Sequence, residues 1–316
     1  MKNLKLVLVS LAILFSHHFT MGQGFKDSNK EKSAVKSALN AFKFRSIGPA
    51  FMSGRIADIA IDPMNENVWY VAVGSGGVWK TENAGTTWSP IADNMPFYST
   101  GCITIDPHNN ASIWLGTGEN VGGRHVGIGH GVYHSKDGGK SWKDMGLKKS
   151  EHISKIIVHP EDPNTVWVAS QGPLWSPGGE RGLYKTTDGG KTWKNTLDIN
   201  EWTGVTDLVI DPTNPDVLYA ASWQKHRNVA ALIGGGPGTS LYKSVDGGNN
   251  WSKIDKGLPK SNKGKIGLAI SPMQPNVLYA AVELDKRAGA VYRSDNSGGS
   301  WKKMSETVSG GTGPHY

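Results

Sequence analysis

One motif, repeated five times at regular intervals, limits the folds open to this chain more than any other feature. It has the form S/T-x-D/N-x-G-x-x-W, and its copies end at Trp88, Trp142, Trp193, Trp251 and Trp301. The steps between successive motif tryptophans are 54, 51, 58 and 50 residues. A period of this size is typical of folds assembled from one repeated structural unit.

Each repeat contains four short segments that look like β-strands. Segment a is an alternating or apolar run that ends at an X-Pro pair such as Asp62-Pro63, where proline cannot donate to a ladder. Segments b and c each contain an aromatic residue, and segment d starts at the motif Trp. The Asp or Asn and the Gly of the motif suit a tight turn between c and d. Four antiparallel strands in about 50 residues describe one blade of a β-propeller.

The aromatic positions form two further columns across the repeats. In segment b we assign Trp69, Trp114, Trp167, Tyr219 and Tyr279. In segment c, nine residues before each motif Trp, stand Trp79, Tyr133, Tyr184, Tyr242 and Tyr292. Blades of a propeller stack face to face, so large flat side chains between them explain why the chain has 12 Trp.

Loop length varies at only one place in the repeat. The spacing from the b aromatic to the c aromatic runs from 10 to 23 residues, whereas the spacing from c to the motif Trp is constant. Alternate connections of an up-and-down sheet emerge on opposite edges. The b–c and d–a loops therefore share one rim, here the b–c rim, and the a–b turns and motif turns share the other, the motif rim. Insertions concentrate where function is placed, so we expect the b–c rim to be the functional face.

The chain before the repeats predicts export. Residues 1–22 have a basic start and a short apolar run, which is typical of a signal peptide and too short to span a bilayer. An uncleaved anchor or a buried strand is the alternative. We expect a location in the periplasm, on the outer surface or outside the cell. Residues 23–41 are predicted to form a polar leader.

We predict an all-β chain, with a partial propeller of four-stranded antiparallel blades over residues 42–316. The blades fall at about 54–97, 98–150, 151–202, 203–261 and 262–309, and residues 42–47 would be a closing d strand. The next X-Pro pair would fall near 318–321, past Tyr316. This spacing predicts an incomplete ring, closed by downstream blades of a longer chain. A five-bladed ring with a frayed N-terminal strand is the alternative.

Composition excludes several classes of site. The single cysteine, Cys102, rules out a disulfide framework, a cysteine-rich zinc site and an iron–sulfur cluster. The formal charge of +7 comes without a dense Lys/Arg cluster, so no nucleic-acid partner is predicted. The spacing of His125, His130 and His134 fits no standard zinc pattern. We therefore predict neither a metal nor a cofactor.

The repeated motif resembles the Asp-box (BNR) repeat of sialidases, xyloglucan-active glycoside hydrolases and sortilin-type receptors. Residues 44–59, 71–80 and 309–316 resemble a group of large exported bacterial proteins described as sortilin N-terminal or glycosyl-hydrolase-like. The resemblance implies a propeller in which the Asp box stabilises turns away from the binding face. The positions that take this structural role are Asn83, Trp88, Asp137, Trp142, Asp188, Trp193, Asp246, Trp251, Asn296 and Trp301.

The same resemblance bears on catalysis. Xyloglucan-active relatives carry a catalytic Asp between strands b and c of the first blade, and Gly74 stands at the matching place here. Glycoside hydrolysis usually needs two carboxylates, so no complete catalytic site is expected in this segment. Sialidases use a Tyr nucleophile with an Arg cluster instead. Arg55 loosely matches the first such arginine, but no Tyr/Glu pair can be assigned.

Ligand contacts are expected from aromatic and polar side chains of the b–c loops, together with Arg55. The candidates are Arg55, Glu119, Arg124, His125, His130, Trp175, Glu180, Arg181, Trp223, Lys225, His226, Arg227, Asp285 and Arg287. Such a mixture suits sugar faces or peptide side chains. Two hypotheses follow: a propeller that binds a glycan or peptide without chemistry in this segment, or the N-terminal part of a xyloglucanase-like or sialidase-like hydrolase completed by downstream blades.

Overall fold

The structure, a computed structural model, describes residues 55–121, 126–284 and 288–308. All described residues lie in one compact unit, Ser53–Tyr316. The predicted closing strand at 42–47 lies outside the described residues. Within the described ranges, no helix is long and apolar enough to cross a membrane.

Five four-stranded antiparallel sheets follow one another along the chain, each with its strands in sequence order. Blade 1 contains β1 (Ile56–Ile61), β2 (Trp69–Val73), β3 (Gly77–Thr81) and β4 (Ser89–Pro90). Blade 2 contains β5 (Thr100–Asp106), β6 (Asn109–Thr117), β7 (Val132–Ser135) and β8 (Lys143–Asp144). Blade 3 contains β9 (Ile153–Val158), β10 (Val166–Ser170), β11 (Gly182–Thr186) and β12 (Lys194–Leu197).

The longest described strand lies in blade 4. Blade 4 contains β13 (Thr203–Asp211), β14 (Asn214–Gln224), β17 (Leu241–Ser244) and β18 (Ser252–Lys253). Its b–c loop adds a small hairpin, β15 (His226–Arg227) and β16 (Leu232–Ile233). Blade 5 contains β19 (Lys263–Ile270), β20 (Leu278–Leu284), β21 (Ala288–Ser294) and β22 (Lys302–Val308). One 3-10 turn, Lys148–Ser150, precedes blade 3.

The first strands of consecutive blades lie side by side, in the order β1, β5, β9, β13, β19. The carboxylate of Asp58 accepts a hydrogen bond from the backbone N–H of Ile103 in the next blade at 3.1 Å. Asp207 accepts one from Leu268 in the same way at 2.7 Å. The prediction of a β-propeller with five four-stranded antiparallel blades is confirmed, and the inner strands hold the blades in radial order.

Aromatic side chains fill the space between blades. Four apolar clusters exist among the described residues, one between each pair of consecutive blades. The c aromatic and motif Trp of a blade face the preceding blade. The Nε1 of Trp142 donates to Ile91 O at 3.0 Å and that of Trp193 donates to Met145 O at 2.7 Å, each acceptor being in the preceding blade. Trp88 has no described blade before it and is 38% exposed.

The b aromatic of each of blades 1 to 4 faces the following blade, and in blade 1 this residue is Tyr70 instead of Trp69. Tyr70 is 2% exposed and pairs in register with Lys80, just as Trp114 pairs with His134. With Tyr70 in the column, the distance from the X of X-Pro to the b aromatic is eight residues in all five blades. The assignment of Trp69 was therefore one residue out of register.

A column of cationic or imidazole side chains accompanies the b aromatics. The residue after each c aromatic lies over the b aromatic of its own blade. Its imidazole centroid, Nζ or Cζ lies 4.1 to 5.7 Å from the centroid of that aromatic ring. These residues are Lys80, His134, Lys185, Lys243 and Arg293. Cation–π attraction stabilises the four rings beneath Lys or Arg, whereas His134 stacks on Trp114 as an uncharged ring.

The five motif turns share one hydrogen-bonding scheme. In blade 3 the Thr186 hydroxyl donates to Asp188 Oδ1 at 2.7 Å and accepts from the N–H of Gly190 at 3.0 Å. Asp188 Oδ1 also accepts from the N–H of Thr192 at 3.0 Å. The same three contacts recur around Asn83, Asp137, Asp246 and Asn296. The side-chain oxygen thus closes the turn, so a carboxylate and an amide serve equally.

Replacing Asp188 tests this scheme. Hydrogen bonds from Thr192 hold the pKa of Asp188 below its usual range, so its contribution to stability is present above about pH 4 and is lost as the pH falls further. We expect Asp188→Ala to lower the free energy of unfolding at pH 7, as for loss of a side-chain cap. Asp188→Asn should lower the free energy of unfolding less than Asp188→Ala does. It should also weaken the dependence of stability on pH below about pH 4. Urea unfolding at pH 7 and pH 3 measures both. Equal losses in the two variants would contradict the scheme.

Candidate functional site

The b–c and d–a loops interlock on one rim. Gly77 N donates to Tyr98 O at 3.0 Å, Gly129 N to Glu151 O at 2.8 Å, and Lys225 N to Trp202 O at 3.2 Å. In each of these pairs, a residue of the b–c connection is joined to one of a d–a loop. The rim is therefore a continuous surface built by several blades.

Arg55 and Glu119, two candidates far apart in sequence, form an ion pair across blades 1 and 2. The guanidinium donates through Nε and Nη2 to the two carboxylate oxygens, with Nη2 to Oε2 at 2.7 Å. Glu119 is 2% exposed and Arg55 is 37% exposed on its side chain. A bidentate pair of this kind fixes both side chains.

Gly74 lies directly against this carboxylate. A Cβ at Gly74 would lie 2.6 Å from Glu119 Oε1. The hydroxyl of Ser99 donates to Gly74 O at 2.8 Å and holds the loop in place. The carboxylate of Glu119, from blade 2, therefore fills the space that a side chain at position 74 would need.

We expect Gly74→Ala to displace Glu119 from Arg55 and to cost about 1–3 kcal/mol, as for overpacking of a filled site. Gly234→Ala is a matched control on the same rim, because nothing lies within 4 Å of a Cβ there. Thermal unfolding of the two variants measures the difference. If Gly74→Ala is as stable as Gly234→Ala, the close approach of Glu119 is not as described.

The b–c loop of blade 3 is organised by Arg181. Its guanidinium donates to the carbonyls of Gly178 at 2.8 Å, Gln171 at 2.8 Å and Ser176 at 2.7 Å, and also to Pro173. Arg181 is 3% exposed, and burial lowers its pKa to about 10. These contacts support a structural role. Nearby, Glu180 Oε2 accepts from the N–H of Lys149 at 2.7 Å, which also favours loop support for Glu180.

Four polar residues from four blades converge beside Trp223. The ammonium of Lys225 donates to Gln171 Oε1 at 2.5 Å, and Gln171 Nε2 donates to Asn120 O at 3.2 Å. The same carbonyl accepts from the ammonium of Lys265 at 2.6 Å. Lys225 and Lys265 lie 5.0 and 5.6 Å from the Trp223 ring centroid. We call Asn120, Gln171, Trp223, Lys225 and Lys265 the lysine cluster.

The lysine cluster is electrostatically unfavourable. Burial, followed by repulsion from Lys265 and Arg181, lowers the pKa of Lys225 well below its ordinary value. Burial also lowers the pKa of Lys265, although Asp207 and Glu283 oppose that shift. The two ammonium groups beside one indole ring therefore lose solvation, and no carboxylate of the described residues forms an ion pair with either.

His152 lies beneath the lysine cluster, 1% exposed. Burial and the charge of Lys225 lower its pKa to about 3. The ring donates to the backbone carbonyl of Glu119, and within the described chain its Nδ1 has no hydrogen-bond partner. The imidazole is thus held neutral, with one unpaired acceptor.

Three tryptophans of the b–c rim differ in exposure and partners. Trp175 is 48% exposed, and the guanidinium of Arg227 lies 5.9 Å from its ring centroid. Trp202 lies against His226, with ring centroids 4.1 Å apart. Trp223 is 5% exposed and donates from Nε1 to Gly234 O at 2.8 Å.

The β15–β16 hairpin adds an apolar tip beside Trp175. Val229 is 89% exposed, and Leu232 and Ile233 are 43% and 50% exposed. Arg227 N donates to Leu174 O at 3.0 Å, which joins the hairpin to the blade 3 loop. Exposed apolar runs of this kind mark contact surfaces on folded proteins.

The structure brings Arg55 to Glu119, Arg227 to Trp175, and Lys225 to Trp223. His130 is exposed, and its backbone N–H donates to Thr117 Oγ1 at 2.7 Å. Four candidates lie outside the described residues: Arg124, His125, Asp285 and Arg287. Among the described residues no group of three or more His, Cys, Asp or Glu could hold a metal ion.

Sequence reasoning missed three members of the site. Gln171, His152 and Lys265 were not singled out, and Lys265 comes from an inner strand instead of a loop. Asn120 and Lys265 are 145 positions apart, so their contact requires the radial arrangement of blades. The available signal was a lysine placed among apolar residues in segment a of the fifth repeat.

Known proteins resemble this chain over part of their length. A family model described as "Sortilin, neurotensin receptor 3" (Sortilin-Vps10) matches residues 130–234. A probable oligoxyloglucan-reducing end-specific xyloglucanase from Neosartorya fischeri is 24% identical over 242 residues, covering 70% of this chain and 26% of the relative. The chain therefore spans about a quarter of that relative's length.

Two solved structures share the architecture. An ancestral GH74 enzyme aligns with a TM-score of 0.63 at 24% identity, covering 79% of this chain and 31% of that one. YCF48 bound to D1 peptide aligns with a TM-score of 0.51 at 18% identity, covering 82% and 70%. Together with the sheet topology, these likenesses establish a β-propeller with sortilin-type and GH74-type relatives.

Proposed function

We propose that the protein is an exported β-propeller that binds a glycan on its b–c rim, with a peptide as the alternative ligand. The observation that carries this proposal is the contrast between the two rims. The hydroxyls, carboxylates and amides of the motif turns are engaged in closing those turns. On the b–c rim, by contrast, Trp175 is half exposed beside Arg227, and the lysine cluster has ammonium donors to spare.

A glycan is favoured over a peptide by the relatives. The xyloglucanase match extends over 70% of this chain, and a half-exposed tryptophan beside charged hydrogen-bond donors offers one apolar face and several polar contacts. The experiment is a combined glycan and peptide array probed with the chain, followed by calorimetry on the retained probes. Retention of glycans, lost in Trp175→Ala, is the expected result. If only peptides are retained, the ligand is a peptide and the glycan proposal is wrong.

A hydrolase is the second candidate, favoured by the position of Glu119. Its carboxylate fills the space beside Gly74, the position to which the resemblance to xyloglucan-active hydrolases assigns a catalytic Asp. Against this, Arg55 engages both carboxylate oxygens, which suits a fixed anion better than a general acid. Release of reducing ends from xyloglucan, abolished by Glu119→Gln, would establish hydrolysis. Glycan capture without turnover would eliminate it for this segment.

We further propose that more blades of the same polypeptide complete the ring. Both end faces of the five-blade array expose large apolar residues: Ile59 at 51% and Trp79 at 37% on blade 1, and Tyr279 at 39% on blade 5. Intact-mass measurement and N-terminal sequencing of the protein from its source cells test this proposal together with export. We expect an N-terminus at Gln23 and a mass above the 34.0 kDa of this chain.

A further inference from the structure

The lysine cluster has more hydrogen-bond donors than its surroundings satisfy. Each ammonium has three N–H donors. Among the described residues, Lys225 donates to Gln171 Oε1 and Lys265 to Asn120 O, with no second acceptor recorded for either. Buried polar groups in folded proteins are normally hydrogen-bonded, so the remaining N–H donors of the two lysines are available to bind an acceptor on a ligand.

No carboxylate of the described chain forms an ion pair with either lysine. Glu283 Oε2 accepts instead from the backbone N–H of Lys265 at 3.1 Å. Asp207 accepts from the backbone N–H groups of Leu208 and Leu268. Glu119 is paired with Arg55. These three carboxylates are thus occupied. Glu151 acts on Lys225 through its charge but forms no ion pair with it among the described residues, so neither ammonium group has a paired anion.

The lysines also differ in access. Lys225 is 1% exposed, whereas Lys265 is only partly buried on the inner strand of blade 5. Both ammonium groups lie close to the same Trp223 ring, at 5.0 and 5.6 Å from its centroid. An anionic group there would relieve the repulsion between the two ammonium groups and supply acceptors for their unused donors.

We propose that the lysine cluster is a carboxylate-binding subsite, in which Lys225 and Lys265 hold the acidic group of a uronate-containing oligosaccharide. This inference rests on the proposed glycan-binding function and specifies its ligand as an acidic sugar. Trp175 and the β15–β16 hairpin would contact neighbouring neutral rings. An acidic peptide is the competing occupant, and the test separates it from the sugar.

Calorimetry of the full chain with trigalacturonate, a neutral xyloglucan oligosaccharide and triglutamate provides the test. We expect trigalacturonate to bind best, with an affinity that falls as salt is added. Lys265→Met and Lys225→Met should each weaken it by about tenfold to a hundredfold, the usual effect of losing one charge-assisted hydrogen bond. The neutral oligosaccharide should bind the variants and the parent chain alike.

Two features of the variants keep the test falsifiable. Lys243→Met is the matched control, because Lys243 also lies over an aromatic ring and donates to a carbonyl, Ser297 O at 3.2 Å, but on the motif rim. It should leave trigalacturonate binding within twofold. Lys225→Met should keep or raise the melting temperature, because it removes a buried unpaired charge. The same variant should still bind trigalacturonate more weakly than the parent chain.

The possible outcomes are distinct. If the neutral oligosaccharide binds and neither trigalacturonate nor triglutamate does, the carboxylate subsite is overturned and the proposed glycan-binding function stands. Triglutamate bound in preference to trigalacturonate would overturn the sugar assignment. Failure of all three probes would overturn the subsite and the glycan proposal together. Equal loss in Lys243→Met and Lys265→Met would show a general charge effect and also overturn the subsite.

Discussion

Acidification from pH 6.5 to pH 4 is expected to lower the free energy of unfolding by several kcal/mol, because two buried histidines resist protonation in the folded state. Burial lowers the pKa of His134 to about 4 and that of His152 to about 3. The unfolded chain takes up these protons first, at its ordinary histidine pKa near 6.5. Their contribution is therefore complete above that pH and is lost progressively as the pH falls toward the folded values.

His152→Gln isolates the larger of these two shifts. A glutamine amide can still donate to the Glu119 carbonyl, so folding at pH 7 should be retained. We expect the loss of stability between pH 6.5 and pH 4 to shrink by about 2–3 kcal/mol in this variant. His130→Gln is the control, since His130 is exposed. Urea unfolding at several pH values measures the effect, and parallel pH profiles for the parent and His152→Gln would refute it.

The second large effect concerns the packing between blades. Trp167 is fully buried between blades 3 and 4, and its Nε1 donates to Gly247 O of the next motif turn at 3.0 Å. We expect Trp167→Ala to cost about 3–5 kcal/mol, as for other large-to-small changes in a core. Tyr279 holds the same register position in blade 5 but is 39% exposed. We expect Tyr279→Ala to cost less than about 1 kcal/mol.

Denaturant unfolding of the two variants checks this difference. The midpoint should shift for Trp167→Ala at unchanged slope, which marks a loss of stability in the folded state. The midpoint shift of Trp167→Phe should lie between those of Trp167→Ala and Tyr279→Ala, because an aromatic ring is kept and the hydrogen bond is lost. Equal costs for Trp167→Ala and Tyr279→Ala would mean that consecutive blades do not pack as described.

The repeat makes the fold predictable from the sequence. Its constant spacings correspond to β-turns and paired strands, whose geometry tolerates no insertion. The blade architecture, and which loops share a rim, therefore follow from the residue spacings within the repeat. The register of segment b in blade 1 was less secure, because Trp69 and Tyr70 are adjacent aromatics. Requiring an equal spacing from X-Pro in all repeats would have selected Tyr70.

The site was less predictable for a physical reason. Residue types identify candidates, but whether Arg181 supports its loop or faces a ligand depends on which carbonyls surround it. The lysine cluster joins residues of four blades, and no local pattern records that convergence. The cationic column over the b aromatics was visible in the sequence, since each member follows a c aromatic by one residue.

The central claim, that ligands bind on the b–c rim and that the motif rim is structural, is tested most directly by amide hydrogen exchange with and without bound oligosaccharide. Trigalacturonate and a xyloglucan oligosaccharide serve as the ligands. The account predicts slower exchange in residues 171–181 and 225–236, with the five motif turns unchanged. Protection of the motif turns, with those two loops unaffected, would contradict it.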